Sequence, residues 1–427
     1  MFRSSVKKPK GRRPTSLAVW LALTTTALAG AGVAQTVREP LSRQEAVALF
    51  LAQNPDIEAA RLRAARVRAD QIAADLRPNP ELTVTAENLR VAGETPFAGL
   101  YEVALTYSET IELGGKRRLR NAVADLGASA ADARLDGVRR QGVLEVEGLY
   151  LEAVLAREQR DVALGTAASF AELLDDVEAR FEEGAASEGD LIRVRLEGVR
   201  IDRVVRDEEL ALARATIRLT ERLGAVDFDR WTVADNLNVT ASVPDLRLLR
   251  EIALAERPEL EAARAEAGQS EQNIALQHAQ ATPDIQPFVG YKRVASSDTL
   301  LFGVSLPLHF RDRNQDGIAR AMTDQRIAAS QVDAVTNRVL AEVESAYRAW
   351  ESARDRVSTF EEGLLVQADD AREIALVSYE EGVAELISLL DAERVHAEMR
   401  TAYFEALFDY GIGILELEYA VGRDIVP

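Results

Sequence analysis

The chain has 427 residues, a net charge of −19 at neutral pH and no cysteine, and its three histidines, His278, His309 and His396, lie far apart. Such an excess of acidic residues disfavours a nucleic-acid-binding protein, because contacts to phosphate groups need clustered Lys and Arg. The lack of cysteine excludes disulfides, thiolate metal sites and a cysteine nucleophile, and the scattered histidines disfavour a histidine-rich metal site.

The N-terminus has the pattern of a secretory signal peptide. Basic residues extend to Arg13, an apolar stretch runs from Leu17 to Leu28, and small residues follow up to Ala34. This order predicts cleavage close to Ala34 and export of the remaining chain, with residues 1–34 removed. No later segment has the 18 or more apolar residues of a transmembrane helix. We also expect no lipid anchor, because the lipid-bearing cysteine of a lipoprotein is missing.

The rest of the chain consists of two related copies. Residues 52–61 are similar to residues 255–264, at an offset of 203, and residues 180–184 are similar to residues 378–382, at an offset of 198. A period of about 200 residues is too long for a solenoid and indicates a duplicated domain. We place the first copy at 35–225, a linker at 226–244 and the second copy at 245–427.

The first predicted element of the first copy is a helix. Residues 41–76 have helical character, and Ser42 with Glu45 three residues later form a capping box at the start. The run Pro78-Asn79-Pro80 stops the helix, because proline cannot continue it.

Two strands follow the helix in each copy. Apolar and polar residues alternate with a period of two, which predicts strands at about 81–90 and 100–111 in the first copy and at about 284–293 and 299–308 in the second. Each predicted strand has about ten residues, the length that a tilted barrel strand needs to cross a bilayer.

A long helical hairpin completes each copy. The hairpins are predicted at 116–223 and 313–421, with turns at Gly184 and Gly382. The first helix of the first hairpin, Lys116–Glu182, would be about 100 Å long at the rise of an α-helix.

An apolar seam follows the first helix of the second hairpin. Its residues recur in alternating steps of four and three, which is typical of a left-handed coiled coil. They are Val339, Val343, Ala346, Trp350, Ala353, Val357, Phe360 and Leu364. The other faces of the hairpins are polar, so the hairpins are expected to lie in water.

Four strands in one chain cannot close into a barrel, and the unpaired edges of an open sheet are not tolerated in lipid. Several copies of the chain must therefore contribute strands. Two copies would give eight strands and a filled interior, and three would give twelve strands and room for a lumen. The sequence thus predicts a mainly α protein with a transmembrane β part, in which a β-barrel is extended by a tunnel of coiled coils.

The duplicated helix-strand-strand-long helix-helix plan resembles the TolC-type outer-membrane efflux proteins over nearly the whole mature chain. The motifs behind the resemblance are Asn54-Pro55, Asn79-Pro80, the run from Thr110 to Arg117, and the paired turns at Gly184 and Gly382. The segment Ile-Glu-Leu-Gly-Gly-Lys-Arg within that run is similar to the cobalt-zinc-cadmium (Czc) resistance branch.

The resemblance implies a homotrimer in the outer membrane of a Gram-negative bacterium. Its three chains would form a 12-stranded β-barrel in outer-membrane lipid and an α-helical coiled-coil barrel in the periplasm. The implied partners are a periplasmic adaptor (membrane fusion protein) and an inner-membrane pump of the RND type.

The same resemblance implies roles for the hairpin turns. Gly184 with Ala185 and Gly382 with Val383 would be the turns on which the adaptor docks, although a glycine can also merely end a helix. Asp190 and Tyr379 match positions that hydrogen-bond between neighbouring hairpins and hold the tunnel closed. The basic partner usual two residues after the second glycine is Ala384 here, so we expect an aperture that is less tightly held than in relatives.

Two further groups of residues are candidates for channel functions. Asp391 matches a lumen-facing acidic position, and a threefold axis would repeat it as an acidic ring that favours cations. An ordinary surface charge is the alternative, and Ser388 occupies the neighbouring acidic position of the family. The aromatic residues expected at the membrane interface are Tyr101, Tyr107, Tyr291 and Phe302.

No catalytic set of Ser, His and Asp and no paired catalytic carboxylates stand out, so we expect neither an enzyme nor a cofactor. The predicted function is a passive outer-membrane exit duct, with divalent heavy-metal cations as the expected cargo. One alternative is an exit duct for drugs or other organic compounds. The other is a periplasmic coiled-coil adaptor, which would carry one hairpin in a lipoyl-like β-domain and no duplication.

Overall fold

The computed structural model describes residues 39–89, 101–237 and 243–425. The expected signal peptide at 1–34 lies outside these ranges, as do residues 90 and 100 of the predicted strands, part of the linker and the last two residues. The helices are α1 (Arg43–Gln53), α2 (Pro55–Asp75), α3 (Lys116–Glu182), α4 (Glu188–Arg222), α5 (Leu246–Glu256), α6 (Pro258–Gln280), α7 (Gln315–Thr359), α8 (Leu365–Glu380) and α9 (Leu386–Val421). The strands are β1 (Glu39–Leu41), β2 (Glu81–Glu87), β3 (Glu102–Ser108), β4 (Trp231–Val233), β5 (Gln286–Val294) and β6 (Ser297–Ser305).

The single helix predicted for 41–76 is two helices. The predicted capping box is present at the start of α1, where Ser42 and Glu45 bond each other's main-chain N–H groups. Asn54 then leaves the helical conformation, with φ −70° and ψ 128°, and its side chain accepts a hydrogen bond from the main chain of Asp56. Pro55 follows at the first position of α2, where its missing N–H costs nothing. The polypeptide thus ends one helix and caps the next within two residues.

Strands β2, β3, β5 and β6 form one antiparallel sheet in that order. The central pairing joins the two copies, since β3 and β5 pair from Glu102 opposite Val294 to Ser108 opposite Phe288. β2 and β6 are the two edges of the sheet within the chain.

The strand bounds differ from the predicted ones at both ends. Towards the helices, β3 ends at Ser108 rather than at 111, β5 begins at Gln286 rather than at 284, and β6 ends at Ser305 rather than at 308. β2 ends at Glu87 because Asn88 adopts the left-handed conformation, with φ 59°, and its side chain bonds Glu102. β5 and β6 extend further than predicted, to a two-residue connection of Ala295 and Ser296. Ala295 has φ 51°. Such a connection usually carries Gly or Asn, so the sequence did not indicate it.

The long helices pack around α3, which contacts α1, α2, α4, α6 and α9. Its bounds are the residues that the sequence predicted. Within the three described ranges, every helix is too short or too polar to span a lipid bilayer.

The segment after the first hairpin returns to the start of the fold. β4 pairs in parallel with β1, and Trp231 lies opposite Glu39. Tyr150 of α3 is fully buried beneath this pair. Its hydroxyl donates to the carbonyl of Leu41 at 2.8 Å and accepts from the main-chain N–H groups of Ala234 and Asp235. One side chain therefore ties α3 to both short strands.

The seam predicted to continue to Leu364 is interrupted. It is buried from Val339 to Ala353, but residues 360–364 form a π-helical turn between α7 and α8, and Leu364 is exposed. Gly363 leaves the helical conformation there, with φ 147°. The spacing of apolar residues did not indicate this break, because the predicted seam keeps the same alternating steps of four and three through residues 360–364.

Candidate functional site

One face of the four-stranded sheet is apolar and exposed. Directly opposed residues of neighbouring strands point to the same face, and the strand register therefore assembles rows across all four strands. One row contains Leu82, Tyr107, Val289 and Phe302, and the next contains Val84, Leu105, Tyr291 and Leu300. Phe302 is 87% exposed. An exposed apolar surface of this kind marks contact with a protein or a membrane.

The opposite face of the sheet is more polar. It carries Thr83, Thr85, Thr106 and Thr299, and Lys292 of β5 forms an ion pair with Glu102 of β3. A sheet with one apolar and one polar face can separate lipid from water.

The four candidate interfacial aromatics lie at three levels of the apolar face. Tyr107 and Phe302 share the row near the helical end of the sheet. Tyr101 precedes β3 at the other end, six residues from Tyr107, which is about 20 Å along a strand. Tyr291 belongs to the row next to that of Tyr107, and its hydroxyl reaches towards the connection between β5 and β6, where it donates to Asp298. Aromatic groups thus lie at both ends of the apolar face and between them.

The segment similar to the Czc branch forms the corner between β3 and α3. Gly114 and Gly115 have left-handed backbones. Asp284, just before β5, accepts hydrogen bonds from the main chain of Leu113 at 2.9 Å and from the Lys116 ammonium at 2.7 Å. Lys116 is buried, so this corner is a fixed connection between the sheet and the long helix.

The two hairpin turns have the same backbone geometry. Gly184 has φ 75° and Gly382 has φ 70°, and each turn is closed by bonds from the next two N–H groups to the carbonyl of Arg180 or Ser378. No atom lies within 4 Å of the Cβ that either glycine lacks. Ala185 is exposed and Val383 is 83% exposed. Both turns are therefore open to a partner.

The two turns belong to one packed tip. A cluster of apolar side chains from α3, α4, α8 and α9 lies directly behind them. Its members include Phe170, Leu173, Val177, Leu191, Val194, Leu386, Leu389 and Tyr379. The hairpins are thus joined at the tip within one chain.

Asp190 and Tyr379 lie at the same tip, but each makes its main contact with a different residue. Asp190 completes the cap of α4: the Ser187 hydroxyl at the N-cap accepts a hydrogen bond from the Asp190 N–H and donates one of 2.7 Å to the Asp190 carboxylate. The Tyr379 ring lies under the Arg180 guanidinium, 4.9 Å from the ring centroid. Burial raises the pKa of Tyr379 above its usual value, and the nearby Asp190 carboxylate acts in the same direction. Arg180 is a tip residue that the sequence reasoning missed.

Asp391 lies on the exposed side of α9. Its carboxylate accepts a hydrogen bond of 2.6 Å from Arg394, one turn further along the helix. Ser388 precedes it by one turn on the same helix. This position is open to solvent and carries a partly compensated negative charge.

A second group that sequence reasoning missed joins α8 to α9 behind the tip. Asp369 accepts from His396 at 2.8 Å and from Arg400 at 3.1 Å, and Arg372 donates to Glu393 at 2.8 Å. Burial alone would raise the pKa of Asp369, but the bonds from Arg400 and His396 outweigh it and hold the pKa below its usual value. The residues lie at helical spacing with no distinctive motif, so only their packing reveals them. In the part of the chain that the structure describes, no group of three or more His, Asp or Glu could hold a metal ion.

The sequence matches the outer membrane efflux protein family over residues 46–225 and 249–423. The cobalt-zinc-cadmium resistance protein CzcC of Cupriavidus metallidurans is 26% identical over 375 residues, which are 86% of this chain and 87% of that protein. The nickel and cobalt resistance protein CnrC of the same organism is 28% identical, over 73% of this chain and 72% of that protein.

The fold is also found among solved structures. The crystal structure of the channel protein CusC matches with a TM-score of 0.75 and 18% identity, over 89% of this chain and 92% of that chain. At that identity the similarity concerns the fold.

Proposed function

The chain belongs to the outer membrane efflux protein family, and on this premise we propose that it is the exit duct of a tripartite efflux system that exports divalent heavy-metal cations. The resemblance drawn from the sequence is confirmed, and the protein is an outer-membrane efflux channel and not an enzyme. Membership of this family also excludes the alternative of a periplasmic adaptor. The metal cargo rests on one observation, the near full-length similarity to CzcC, and the similarity to CnrC supports it.

A homotrimer is the assembly that we propose for the duct. Each chain supplies a four-stranded antiparallel sheet with β2 and β6 as unpaired edges. In lipid these edges need partners, since every main-chain polar group must be bonded. Alternation of strand direction makes β6 of one copy antiparallel to β2 of the next. Three copies close twelve strands with room for a lumen, and the apolar rows then face lipid.

The adaptor-docking role of the tips rests on the open turns. Gly184, Ala185, Gly382 and Val383 are accessible in the chain, and both turns lie on one packed tip. We propose that a periplasmic adaptor binds there and connects the duct to an RND-type pump in the inner membrane. The pump would supply the energy and select the cargo. Export of this chain to the outer membrane would use the signal peptide at 1–34.

The test is growth of a gene-deletion strain on graded zinc, cadmium, cobalt, nickel and copper, beside a panel of dyes and antibiotics. Sensitivity confined to metals, reversed by the gene on a plasmid, is the expected result. Sensitivity to organic compounds alone would keep the duct and overturn the metal cargo. A matched control is the same plasmid with Phe302 and Leu300 replaced by Asp, which places charge on the proposed lipid-facing rows and should not restore resistance.

A further inference from the structure

A cavity lies between α3, α4 and α9, further from the hairpin turns than the packed tip. Its volume is about 310 Å³, at the lower end of the range of about 300–1,000 Å³ for small-molecule sites. All of its lining residues come from these three helices of one chain, so its walls are complete without a second copy.

The part of the cavity nearest the tip is apolar. Phe170 of α3, Ile201 of α4 and Leu390 of α9 line it. These three side chains also pack in the apolar cluster behind the turns, and Phe170 and Ile201 are buried. This end of the cavity therefore suits an apolar group held against a fixed wall.

The charged residues around the apolar part are paired. Their partners lie one turn away on the same helix or on α8, so the opposite charges largely cancel before any ligand binds. The three pairs are Glu197 with Arg200, Glu398 with Arg394, and Glu393 with Arg372, at N···O distances of 2.5, 3.7 and 2.8 Å.

The far end of the cavity carries two carboxylates that lack such a partner. They belong to Glu208 of α4 and Glu405 of α9. Glu208 follows Ile201 by seven residues, which is about 10 Å along a helix. The Glu405 carboxylate accepts a hydrogen bond from the Gln159 amide at 3.2 Å. In the part of the chain that the structure describes, no Lys, Arg or His forms an ion pair with either carboxylate.

The two unpaired carboxylates repel each other. Burial raises the pKa of Glu208 above its usual value, and the charges of Asp207 and Glu405 act in the same direction. A cation between Glu208 and Glu405 would remove this repulsion. A divalent metal ion suits the cavity poorly, because it needs several converging ligands. Among the described residues no group of three or more His, Asp or Glu could hold one.

We propose that this cavity binds an amphiphilic organic cation. Its ammonium group lies between Glu208 and Glu405, and its apolar body lies against Phe170, Ile201 and Leu390. An ammonium group offers three donors, which suits two carboxylates that only accept hydrogen bonds. The site lies within one chain and does not depend on which cargo the duct carries.

Assembly of several chains leaves the cavity open. The exposed apolar residues Ile192, Leu196 and Val199 lie on the side of α4 opposite to Ile201 and Glu208, because successive residues turn by about 100° around the helix. A neighbouring copy that packs on this apolar side would not cover the cavity.

The test is isothermal titration calorimetry of the purified channel in a nonionic detergent, with a titration into protein-free micelles subtracted. Three probes separate charge from apolar body. The probe 4-phenylbutylammonium has both, 4-phenylbutanol has only the body, and ethylammonium has little more than the charge. We expect 4-phenylbutylammonium to bind once per chain and at least about tenfold more tightly than either other probe. Equal affinity for the alcohol, or no binding above the micelle blank, would overturn the site.

Substitutions in the same assay locate the site. Glu208→Gln and Glu405→Gln should each weaken binding of 4-phenylbutylammonium about tenfold, since each removes a charge-assisted hydrogen bond. Glu209→Gln is the matched control, because Glu209 is exposed beside Glu208 and does not line the cavity. Ala397→Phe fills the cavity and should abolish binding while both carboxylates remain.

The glutamine variants should fold, since each removes one of two repelling charges, and circular dichroism checks this. Weakening by Glu209→Gln as large as that by Glu208→Gln would overturn the site. Undiminished binding in the Glu208→Gln, Glu405→Gln double variant would do the same. Growth on metals plays no part in these outcomes, so failure of the site and failure of the proposed metal cargo are distinguishable.

Discussion

The side-chain amide of Asn54 donates a hydrogen bond of 2.8 Å to the main-chain carbonyl of Arg222. In the second copy the Arg257 guanidinium makes the corresponding bond, at 3.1 Å to the carbonyl of Ala420. Both bonds tie the last turn of the returning helix to the junction between two short helices. The duplication has therefore kept a contact while the residue that makes it has changed.

The Arg257 contact should be the stronger of the two. Its side chain is 3% exposed and also pairs with Glu259 and Glu342, at 2.8 and 2.7 Å. Removal of one partner from a fully buried ion pair typically costs about 3–5 kcal/mol, and the loss here should be smaller because the two glutamates are each more than a third exposed. We expect Arg257→Ala to lower the thermal unfolding midpoint strongly in circular dichroism. Arg423→Ala removes an exposed ion pair with Glu256 in the same region and should cost below about 1 kcal/mol. An equal loss of stability in the two variants would contradict the conclusion that Arg257 makes the stronger contact.

The glycines at the hairpin bases and tips should differ in their tolerance of a side chain. Gly422 has φ 93°, and its missing Cβ would lie 3.0 Å from the Glu256 main chain, whereas Gly184 has φ 75° and open space. A left-handed backbone alone costs an L-residue about 1–2 kcal/mol. We expect Gly184→Ala to lose about that amount and Gly422→Ala distinctly more, measured by denaturant unfolding. A smaller loss at Gly422 would show that the junction can move aside.

Tyr150 should make stability depend on alkaline pH. Burial raises the pKa of Tyr150 from its usual value of 10.0 to about 12. The pKa of Tyr150 is higher in the folded chain than in the unfolded chain. Its contribution to the free energy of unfolding is therefore fully present below pH 10 and is lost as pH rises towards 12. Two pKa units correspond to about 3 kcal/mol. At neutral pH, Tyr150→Phe should cost about 1–3 kcal/mol, because it leaves buried main-chain groups unbonded.

The direction of this pH dependence is checked by the difference between the unfolding free energies of the native chain and Tyr150→Phe, measured from pH 9 to pH 12. The other tyrosines are common to both chains and cancel. We expect the difference to shrink steadily above pH 10. A difference that stays constant or grows would contradict a raised pKa at this site.

Asp190 should influence the aperture through its charge as well as through its bond to the Ser187 cap. Asp190→Ala removes the carboxylate and its bond to the Ser187 hydroxyl, whereas Ser187→Ala removes both cap bonds and leaves the carboxylate near Tyr379. We expect Asp190→Ala to raise conductance in planar bilayers more than Ser187→Ala does. Equal conductance in the two variants would mean that Asp190 acts only on the end of α4.

Asp391 should contribute to cation preference if it faces the lumen of a trimer. Asp391→Asn removes its charge, and Glu398→Gln removes another acid that contacts the same Arg394, at 3.7 Å. We expect the reversal potential in a salt gradient to shift towards weaker cation selectivity in Asp391→Asn, with a smaller shift in the control. Identical shifts would place both residues on an ordinary charged surface.

Much of the fold could be predicted because it depends on periodicity within short segments. The alternation around Leu82 and Val84 and the spacing of Val339, Val343 and Ala346 each identify one element and its buried or apolar face. The capping box at Ser42 and the glycine turn at Gly184 are equally local. The proximity of the tip residues Asp190 and Tyr379 was implied by the family resemblance alone, since they lie at the turns of two different hairpins.

The contacts that join these elements could not be predicted in the same way. The Arg180–Tyr379 contact and the Asp369, His396 and Arg400 group connect helices that meet only in the folded chain. The pairing of β3 with β5 depends on residues far apart in sequence.

By itself the sequence determined the duplication, the order of elements and the exposed or buried face of each strand and seam, because backbone geometry converts local spacing directly into a face. Tertiary structure alone decided the π-helical turn at Gly363, the two-residue connection at Ala295 and the equivalent contacts that Asn54 and Arg257 make with the returning helices. The physical reason is that packing between distant segments selects among backbone conformations that local periodicity leaves equally favourable.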